Sequence, residues 1–239
     1  MSKVILVTGA SGGIGKAIAR ACASAGHNVY GTSRKATPWQ SFENFQLLPM
    51  EVTDENSVRE AIRLILEKHG RIDVVVNNAG SGFNGAAEDV SNEEVEGNFR
   101  LNVVGAWNVC RAVLPAMRSQ QGGYILAVSS FAGQIGLPFR SVYAASKHAL
   151  EGMMESLSIE VRRWNIKVVI VQPAEFSTGI IENRGNAANI SATYRSDFDR
   201  INQQINEGVR HAAPPDEMGE VVLRIINHAS PKLRYRVAP

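Results

Sequence analysis

A tyrosine and a lysine four residues apart, Tyr143 and Lys147, have the types and the spacing of an acid/base pair. At the beginning of a helix this spacing places the phenol and the ammonium on one face, a turn apart. A free phenol has a pKa of about 10 and is a poor base near neutral pH, whereas a neighbouring cation favours the phenolate. An isolated Tyr-x-x-x-Lys pattern is usually only a helix face, so the residues predicted around it decide its meaning.

Further polar residues are expected at the same edge of the fold. Ser130 ends a predicted strand, where its hydroxyl could orient a substrate carbonyl. Residues 77–80, Asn-Asn-Ala-Gly, end another predicted strand at the same edge. Asn102 lies in the apolar helix that follows, where its amide either belongs to the site or is satisfied by the local backbone.

A glycine-rich turn, residues 8–15, connects the first predicted strand to a helix. Glycines allow the backbone to turn sharply and to approach a pyrophosphate, and the helix amino terminus offers free N–H groups and partial positive charge. The placement between strand and helix favours a dinucleotide site. The alternative is a tight glycine turn without a ligand.

The end of the second predicted strand indicates which nicotinamide cofactor is bound. An acidic residue there accepts the ribose hydroxyls of NAD and repels a 2′-phosphate. This chain instead has Ser33, Arg34 and Lys35, and a guanidinium can hold a phosphate with paired hydrogen bonds. We therefore expect NADP(H) rather than NAD(H), the alternative being that the two cations belong to a solvated loop.

The elements that must position these residues alternate between short Val/Ile-rich runs and longer helical patterns, which is typical of βα units around a buried parallel sheet. The predicted strands are residues 4–7, 28–33, 45–50, 72–77, 124–129, 167–172 and 234–237. The predicted helices are residues 14–25, 55–69, 92–117, 143–164 and 215–228. Right-handed crossovers give a single doubly wound, Rossmann-like α/β domain over residues 1–239, with a mostly parallel seven-stranded sheet.

Residues 176–214 interrupt this alternation, because they are rich in Asn, Ser, Arg and Gly and suggest no strand. We interpret them as a substrate lid, the alternative being a surface excursion without a role. Large apolar side chains fall in loops near the carboxyl edge or in the lid and could line a mostly apolar cleft, and they are Phe83, Phe131, Phe139, Phe176, Ile180, Ile181, Tyr194 and Phe198. This pattern predicts a hydrophobic carbonyl or alcohol as the substrate.

Composition excludes several other classes of protein. The net charge is only +2, which gives no indication of nucleic acid or an anionic membrane. The two cysteines and five histidines fit no metal-binding spacing, so we expect no metal site and no disulfide. No apolar run approaches the ~20 residues of a membrane span, and the amino terminus enters a strand directly. We expect a cytoplasmic protein.

The predicted helix that contains Tyr143 carries two stripes. Its larger apolar residues can face the sheet, whereas Ala145, Ala149, Gly152 and Ser156 form a stripe of small residues that would allow another helix to approach closely. This pattern favours a homodimer through the helix. Close packing within one chain is the alternative.

Taken together, these motifs resemble the short-chain dehydrogenase/reductase family over essentially the whole chain. The glycine turn at residues 8–15, the Asn-Asn-Ala-Gly stretch at 77–80 and the catalytic residues Asn102, Ser130, Tyr143 and Lys147 follow the order and spacing of the family. Residues 136–157 resemble the branch that contains 17β-hydroxysteroid and retinol dehydrogenases. Members that resemble this chain are often homodimers or homotetramers.

The resemblance implies a role for each of the four catalytic positions. Tyr143 would give or take the proton, and Lys147 would lower the pKa of Tyr143 and hold the nicotinamide ribose. Ser130 would hydrogen-bond the reacting oxygen. Asn102 would support a water relay to Lys147.

The resemblance also implies which residues bind the cofactor: Gly9, Ser11, Gly13, Ile14, Gly15, Ser33, Arg34, Glu51, Val52, Asn78, Ala79, Gly80, Tyr143, Lys147, Pro173 and Thr178. Two of these positions depart from the family. Glu51 stands where an aspartate usually lies beside the adenine, and Ala174 follows Pro173 where glycine is usual. Because alanine tolerates positive φ less well than glycine, the second change could alter how Thr178 meets the carboxamide.

The predicted function is an NADP(H)-dependent oxidoreductase that transfers a hydride between the nicotinamide and an apolar ketone, aldehyde or secondary alcohol, steroid-like, retinoid-like or otherwise hydrophobic. One alternative is an NADPH-binding sensor without turnover, although a sensor needs no tuned phenol. Another is an isomerase or dehydratase of the extended branch, for which 239 residues leave little room. The sequence does not specify the substrate, the direction or the stereochemistry.

Overall fold

The computed structural model describes residues 2–238, with the backbone only at residues 180 and 182. Within that range the strands are β1 (Val4–Val7), β2 (Asn28–Ser33), β3 (Gln40–Phe42), β4 (Phe45–Pro49), β5 (Val74–Asn77), β6 (Phe83–Asn84), β7 (Gly123–Val128), β8 (Ile166–Pro173), β9 (Gly185–Asn186) and β10 (Arg234–Val237). The α-helices are α1 (Gly13–Ser24), α2 (Glu55–His69), α3 (Asn92–Phe99), α4 (Gly105–Gln120), α5 (Ser141–Val161), α6 (Ile180–Asn183), α7 (Ala192–His211) and α8 (Asp216–Ile226).

The main sheet has the strand order β10-β8-β7-β5-β1-β2-β4-β3, and its strands are parallel except for β3. From β1 the chain first adds strands on one side and then, from β5 onward, on the other. The crevice at the carboxyl ends of β1 and β5 is therefore the topological switch point, where open α/β sheets bind their ligands. The doubly wound α/β fold is thus confirmed.

The sheet has one strand more than the seven expected. The additional strand β3 pairs antiparallel with β4 at the sheet edge, through a tight connection in which Glu43 has a φ of 51°. Its three residues, Gln-Ser-Phe, are mostly exposed. Such a short and polar run carries no alternating pattern from which a strand could be predicted.

Helices cover both faces of the sheet, so strands such as β1 are buried on two sides and read as continuous apolar runs. Ile5 and Val7 pack in the layer formed with α1 and α8, whereas Leu6 packs in the layer formed with α2, α4 and α5. The second layer contains the helix that carries Tyr143. The site therefore rests on a rigid, fully packed base.

The expected single helix over residues 92–117 is divided. An α-helical segment, α3, passes into a π-helical turn at Arg100–Val104 and continues as α4. The π turn contains Asn102, which is buried and hydrogen-bonded by its side chain. Single π turns inside α-helices occur frequently at functional sites, and apolar spacing alone does not reveal them.

The expectation that residues 176–214 contain no strand is wrong. Strand β9 lies within this segment and pairs in parallel with β6, aligning Gly185 with Phe83. Helix α7 forms most of the remainder, although only Phe198 and Val209 on it are buried. The segment is thus ordered against residues 82–85, while its role as a lid stays a prediction.

No helix within the described residues is long and apolar enough to cross a membrane. The same residues contain no group of three or more His, Cys, Asp or Glu side chains that could hold a metal ion. Cys22 and Cys110 are both buried and free, and burial raises the pKa of each thiol to about 12.

Candidate active site

The Asn78 side chain holds the turn between β1 and α1 in shape through hydrogen bonds. The Asn78 side-chain amide donates to the carbonyls of Thr8 and Gly9, at 2.9 and 3.2 Å, and Thr8 Oγ1 accepts from the backbone N–H of Asn78 at 2.9 Å. A Cβ at Gly15 would lie 2.4 Å from Asn78 Nδ2 and 2.5 Å from the carbonyl oxygen of Gly9. Only glycine therefore fits at position 15 while this clasp is intact.

The same turn exposes a helix amino terminus that suits a phosphate. Gly12 caps α1 with no side-chain hydrogen bond, and the first turn of the helix contains no acidic residue. Ser11 and Gly12 are exposed, and a Cβ at Gly13 would lie 3.4 Å from Thr178 Cβ. The free N–H groups of this helix terminus, with Thr178 close to Gly13, fit a dinucleotide pyrophosphate.

At the end of β2, the Arg34 side chain extends into solvent with 79% of its surface exposed. Its Nε lies 4.0 Å from Glu51 Oε2, and Glu51 Oε1 accepts hydrogen bonds from the backbone and the hydroxyl of Thr53. Ser33 Oγ accepts from the backbone of Lys35. Val52 is buried against Gly105, where it forms part of the base of the site.

Asn102 is fixed by protein groups on several sides. Its side-chain oxygen accepts from the backbone N–H of Ser81 at 2.9 Å, and its nitrogen lies within hydrogen-bond distance of the Ser81 carbonyl, Asn98 Oδ1 and Ser146 Oγ. A Cβ at Gly80 would lie 2.8 Å from Asn102 Oδ1 and 3.7 Å from Lys147 Nζ. Gly80 therefore lies close to both Asn102 and Lys147, and a side chain at position 80 would contact the Asn102 oxygen.

Lys147 is buried on α5, and its ammonium donates to the carbonyl of Val128 at 2.9 Å. Its Nζ lies 5.9 Å from the centroid of the Tyr143 ring, as expected for residues one turn apart. Burial lowers the pKa of Lys147 to about 8, against the opposing charge of Glu151. The Lys147 ammonium is thus expected to lose its proton at a lower pH than an exposed lysine does.

Tyr143 is 8% exposed, and burial raises the pKa of its phenol. The nearby Ser130 hydroxyl lowers that pKa, followed by the positive charges of Arg140 and Arg184. The structure therefore brings Ser130 and Tyr143 together and adds two guanidiniums that sequence reasoning did not include. The role of Lys147 in lowering this pKa stays a prediction.

A second buried network is centred on Glu151 of α5, which is 4% exposed. Its carboxylate accepts from Ser129 Oγ at 2.7 Å and from Gln172 Nε2 at 2.8 and 2.9 Å, and it pairs with Arg234 Nε at 3.1 Å. This network connects α5 to β7, β8 and β10. In the sequence, the position of Glu151 four residues after Lys147, on the same face of the predicted helix, could have indicated this network.

An apolar cluster covers the outer side of Tyr143. Phe139, Tyr194 and Phe198 make edge-to-face contacts, with centroids of 6.3 Å between Phe139 and Tyr194 and 5.5 Å between Phe139 and Phe198. Phe83 and Ile190 belong to the same cluster. The cluster therefore contains four of the eight side chains predicted for the cleft: Phe83, Phe139, Tyr194 and Phe198.

The other four do not join this cluster. Phe176, three residues after the end of β8, is buried instead in the core with α1 and α8. Phe131 and Ile181 are partly buried outside the cluster, and the Ile180 side chain lies outside the described residues. Loop aromatics cannot be assigned to a core or to a cleft by sequence, because that depends on where the loop folds.

Of the remaining predicted cofactor residues, Ile14 packs on the core under the glycine turn, and Ala79 donates its N–H to Thr8 Oγ1 at 2.9 Å. Pro173 ends β8 opposite Val237, and the N–H of Ala174 donates to the carbonyl of Val237 at 2.8 Å. All the predicted cofactor residues thus lie on the loops at the carboxyl ends of the strands or on the elements that pack beneath them.

Comparison with protein families gives a match to the model described as short chain dehydrogenase, over residues 3–189. The chain is 40% identical over 240 residues to the 3-ketodihydrosphingosine reductase of Bacteroides thetaiotaomicron, which covers 99% of this chain and 88% of the relative. It is 32% identical over 252 residues to 17-beta-hydroxysteroid dehydrogenase type 1 of Homo sapiens, covering 97% and 76% respectively.

Solved structures share the same fold along the whole chain. A short-chain dehydrogenase from Streptomyces avermitilis matches with a TM-score of 0.88 and 32% identity, covering 100% of this chain and 89% of that one. A metagenomic short-chain oxidoreductase in complex with NADP matches with a TM-score of 0.75 and 27% identity, covering 99% and 97%.

Proposed function

The chain belongs to the short-chain dehydrogenase/reductase family of nicotinamide-dependent oxidoreductases, and from this premise we propose that it transfers a hydride between NADP(H) and an apolar ketone, aldehyde or secondary alcohol. The observation that carries the proposal is the position of Tyr143. Its phenol is buried in an apolar cluster, near the Ser130 hydroxyl and one turn from Lys147.

The chemistry assigned to these residues follows from their contacts. When bound, the nicotinamide supplies the hydride for reduction or accepts it for oxidation. In reduction the carbonyl π bond opens, and the Tyr143 hydroxyl gives its proton to the oxygen, while Ser130 Oγ donates a hydrogen bond to the same atom. In oxidation the phenolate removes the proton from the alcohol.

Lys147 and Asn102 serve the phenol in this proposal. The ammonium of Lys147 stabilises the phenolate and binds the nicotinamide ribose, and its bond to the Val128 carbonyl keeps it on the inner side of Tyr143. Asn102 holds the backbone at Ser81, next to Gly80, and would support a water relay to Lys147.

The preference for NADP(H) is supported by the end of β2. Arg34 is largely exposed there, and the Glu51 carboxylate lies 4.0 Å from its Nε. The exposed guanidinium is available to a 2′-phosphate, with which it could form charge-assisted hydrogen bonds.

The first test follows the oxidation of NADPH and of NADH in parallel with steroid ketones, retinal, aliphatic ketones, 3-ketodihydrosphingosine and small diketones. We expect turnover with NADPH and with one group of apolar carbonyl compounds. Binding of NADPH without turnover of any member of the panel would favour the sensor instead. Preferential turnover of small charged diketones would contradict the apolar substrate class.

A further inference from the structure

Two arginines flank the outer side of the catalytic tyrosine, although neither belongs to the set that the family motif contains. Arg140 immediately precedes α5 and lies one turn before Tyr143, and Arg184 precedes β9 in the segment over the cleft. Arg184 is 8% exposed. Both positive charges reach the phenol, since each lowers its pKa.

The two guanidiniums are held on a common frame, residues 82–85. The Gly85 N–H donates to the carbonyl of Phe139, next to Arg140, at 2.8 Å, and the Gly185 N–H donates to the carbonyl of Gly82 at 3.0 Å. A Cβ at Gly82 would lie 3.2 Å from Arg184 Cγ and 3.4 Å from its Nε. Because glycine has no side chain, position 82 leaves room for the Arg184 side chain.

The donors of this pair are only partly used. Arg140 Nε and Nη2 are buried and have no hydrogen-bond acceptor among the described residues. Arg184 Nη1 donates to Asn206 Oδ1 at 3.0 Å, a neutral partner. Glu175 is the carboxylate whose charge reaches both arginines, but it is exposed, and a Cβ at Gly208 would lie 2.4 Å from its Oε2.

Such an arrangement is unfavourable unless an anion completes it. A buried guanidinium costs free energy when it lacks a charged or hydrogen-bonding partner, and two like charges add to that cost. The pKa of Arg184 is lowered to about 10 by burial and by Arg140. Unpaired buried donors beside a catalytic group are typical of a ligand subsite.

We propose that Arg140 and Arg184 form an oxyanion subsite of the substrate cleft, so that the substrate is an apolar carbonyl or hydroxy compound that carries a carboxylate, phosphate or phosphonate close to the reacting carbon. The subsite rests on the proposed function, because it uses Tyr143 as the reacting end of the cleft. The apolar chain of such a substrate would lie against Phe139, Tyr194 and Phe198, which adjoin Arg140 and its frame.

This subsite adds a requirement that the apolar residues alone do not indicate, because the substrate should carry a negative charge. A neutral ketone would leave the buried donors of Arg140 without a partner. A compound with an ammonium beside its carbonyl, such as 3-ketodihydrosphingosine, would place a third cation near the two guanidiniums. Both are expected to bind less tightly than an oxyanion of similar length.

The test measures binding by calorimetry, with and without saturating NADP+, which cannot reduce a ketone. The probes are 3-oxooctanoate, its methyl ester and (2-oxoheptyl)phosphonate, which share one alkyl chain and one ketone position. We expect the wild type to bind the two anions at least about tenfold more tightly than the ester. The tighter of the two anions identifies carboxylate or phosphonate as the preferred group.

The variants Arg140→Met and Arg184→Met are expected to weaken binding of the anions by about ten- to hundred-fold and binding of the ester by less than about threefold. Arg184→Lys keeps the charge and should lose less, which covers the case in which a methionine variant is unstable. Arg200→Met, on the exposed surface of α7 where Arg200 pairs with Asp197, is the matched control and should bind like the wild type. Melting temperatures check that each variant is folded.

The outcomes separate the subsite from the proposed function. Equal binding of acid and ester by the wild type, or equal losses for both in the variants, would overturn the subsite, because arginines that only tune the phenol act on every substrate alike. Tighter binding of 3-ketodihydrosphingosine than of 3-oxooctadecanoate, which has the same chain length and ketone position, would overturn it as well. Absence of NADP+ binding would refute the proposed function, and the titrations without cofactor would still test the arginines.

Discussion

The pKa of the Tyr143 phenol is shifted in opposite directions by burial and by neighbouring groups. Burial raises the pKa of the phenol, and the Ser130 hydroxyl with two guanidinium charges lowers it. Lys147, one turn further along α5, is itself shifted to a pKa of about 8 by burial. Both members of the pair thus depart from their ordinary pKa values in the direction that burial dictates, and Glu151 opposes the shift of the lysine.

The substitution Glu151→Gln is therefore expected to lower the pKa of Lys147 further, because it removes the negative charge that raises this pKa. Since the ammonium is lost as pH rises through its pKa, the alkaline limb of the pH profile of kcat/KM should move to lower pH. Glu155→Gln is the matched control, since Glu155 is exposed and pairs with the same Arg234. An unchanged alkaline limb in Glu151→Gln would exclude this influence.

At the cofactor end, Arg34→Asp should weaken NADPH binding by at least about tenfold more than NADH binding, because a carboxylate replaces the partner of the 2′-phosphate. Dissociation constants measured by fluorescence titration provide the comparison. Arg59→Asp, on the exposed face of α2, should leave both affinities unchanged. Equal losses for the two cofactors in Arg34→Asp would place the 2′-phosphate elsewhere.

The sequence predicted most of the residues at this scale through local motifs, such as Tyr143 with Lys147 or the glycine turn. Arg140 and Arg184 were missed because they are 44 residues apart, and only the pairing of β9 with β6 brings Arg184 to the site. Glu151 was visible in the chain, but its partners come from the residue after β7, from β8 and from β10. Contacts of this kind depend on the folded arrangement and not on spacing.

Among the elements, the strand–turn–helix unit formed by β1 and α1 depends on glycines, through positive φ angles and close backbone contacts. Gly9 and Gly13 have φ values of 65° and 53°, and Gly15 has no room for a Cβ. Asn78, from the loop after β5, closes the unit. Contacts within the protein thus hold the turn in shape, and such preorganisation reduces the entropy lost on binding.

We expect Gly15→Ala to reduce NADPH affinity by at least about tenfold and to lower the melting temperature, because the added Cβ meets Asn78 Nδ2 at 2.4 Å and a backbone oxygen at 2.5 Å. Gly12→Ala, three residues away in the same turn, is the control. It has open space for a Cβ and an extended backbone with φ of −166°, so its affinity should change less than about threefold. Similar losses in both variants would contradict the role of the Asn78 clasp.

Predictions of elements succeeded where a pattern extended over several residues of one burial class. The parallel strands and the helix that carries Tyr143 are of this type. The failures were the short strands β3, β6 and β9, the short helix α6, the π turn at Arg100–Val104, and the 20-residue helix α7, on which only Phe198 and Val209 are buried. Two or three residues carry no readable period, and the π turn is specified by the side-chain hydrogen bonds of Asn102, which spacing does not encode.

For the molecule as a whole, three of the four exposed large apolar side chains among the described residues lie on α4, on α5 or in the π turn before α4, the fourth being Ile135. Trp107 on α4 is 46% exposed, Val104 beside it is 45% exposed, and Ile159 on α5 is 70% exposed. Gly152 lies on α5 with open space around it, and Ala145 and Ser156 of the predicted stripe are exposed as well. We infer a homodimer in which α4 and α5 pack against their copies.

Gly152→Arg is expected to convert the dimer to a monomer at micromolar concentration, because a long charged side chain would enter the helix contact. Light scattering coupled to size exclusion gives the mass directly. Ala25→Arg adds the same charge at the exposed end of α1, on the opposite face of the sheet, and should remain dimeric. A wild-type chain that is monomeric under these conditions would refute the interface.

The most direct test of the role of the Tyr143 phenol compares the wild type with Tyr143→Phe for both NADPH binding and NADPH oxidation, using the best carbonyl substrate of the panel. The substitution removes one buried hydroxyl and leaves the ring, the glycine turn and Lys147 in place. We predict an NADPH dissociation constant within about threefold of the wild type and a kcat reduced by about 10²- to 10⁴-fold. Retained turnover in Tyr143→Phe would contradict the claim, since the phenol would then take no part in the reaction.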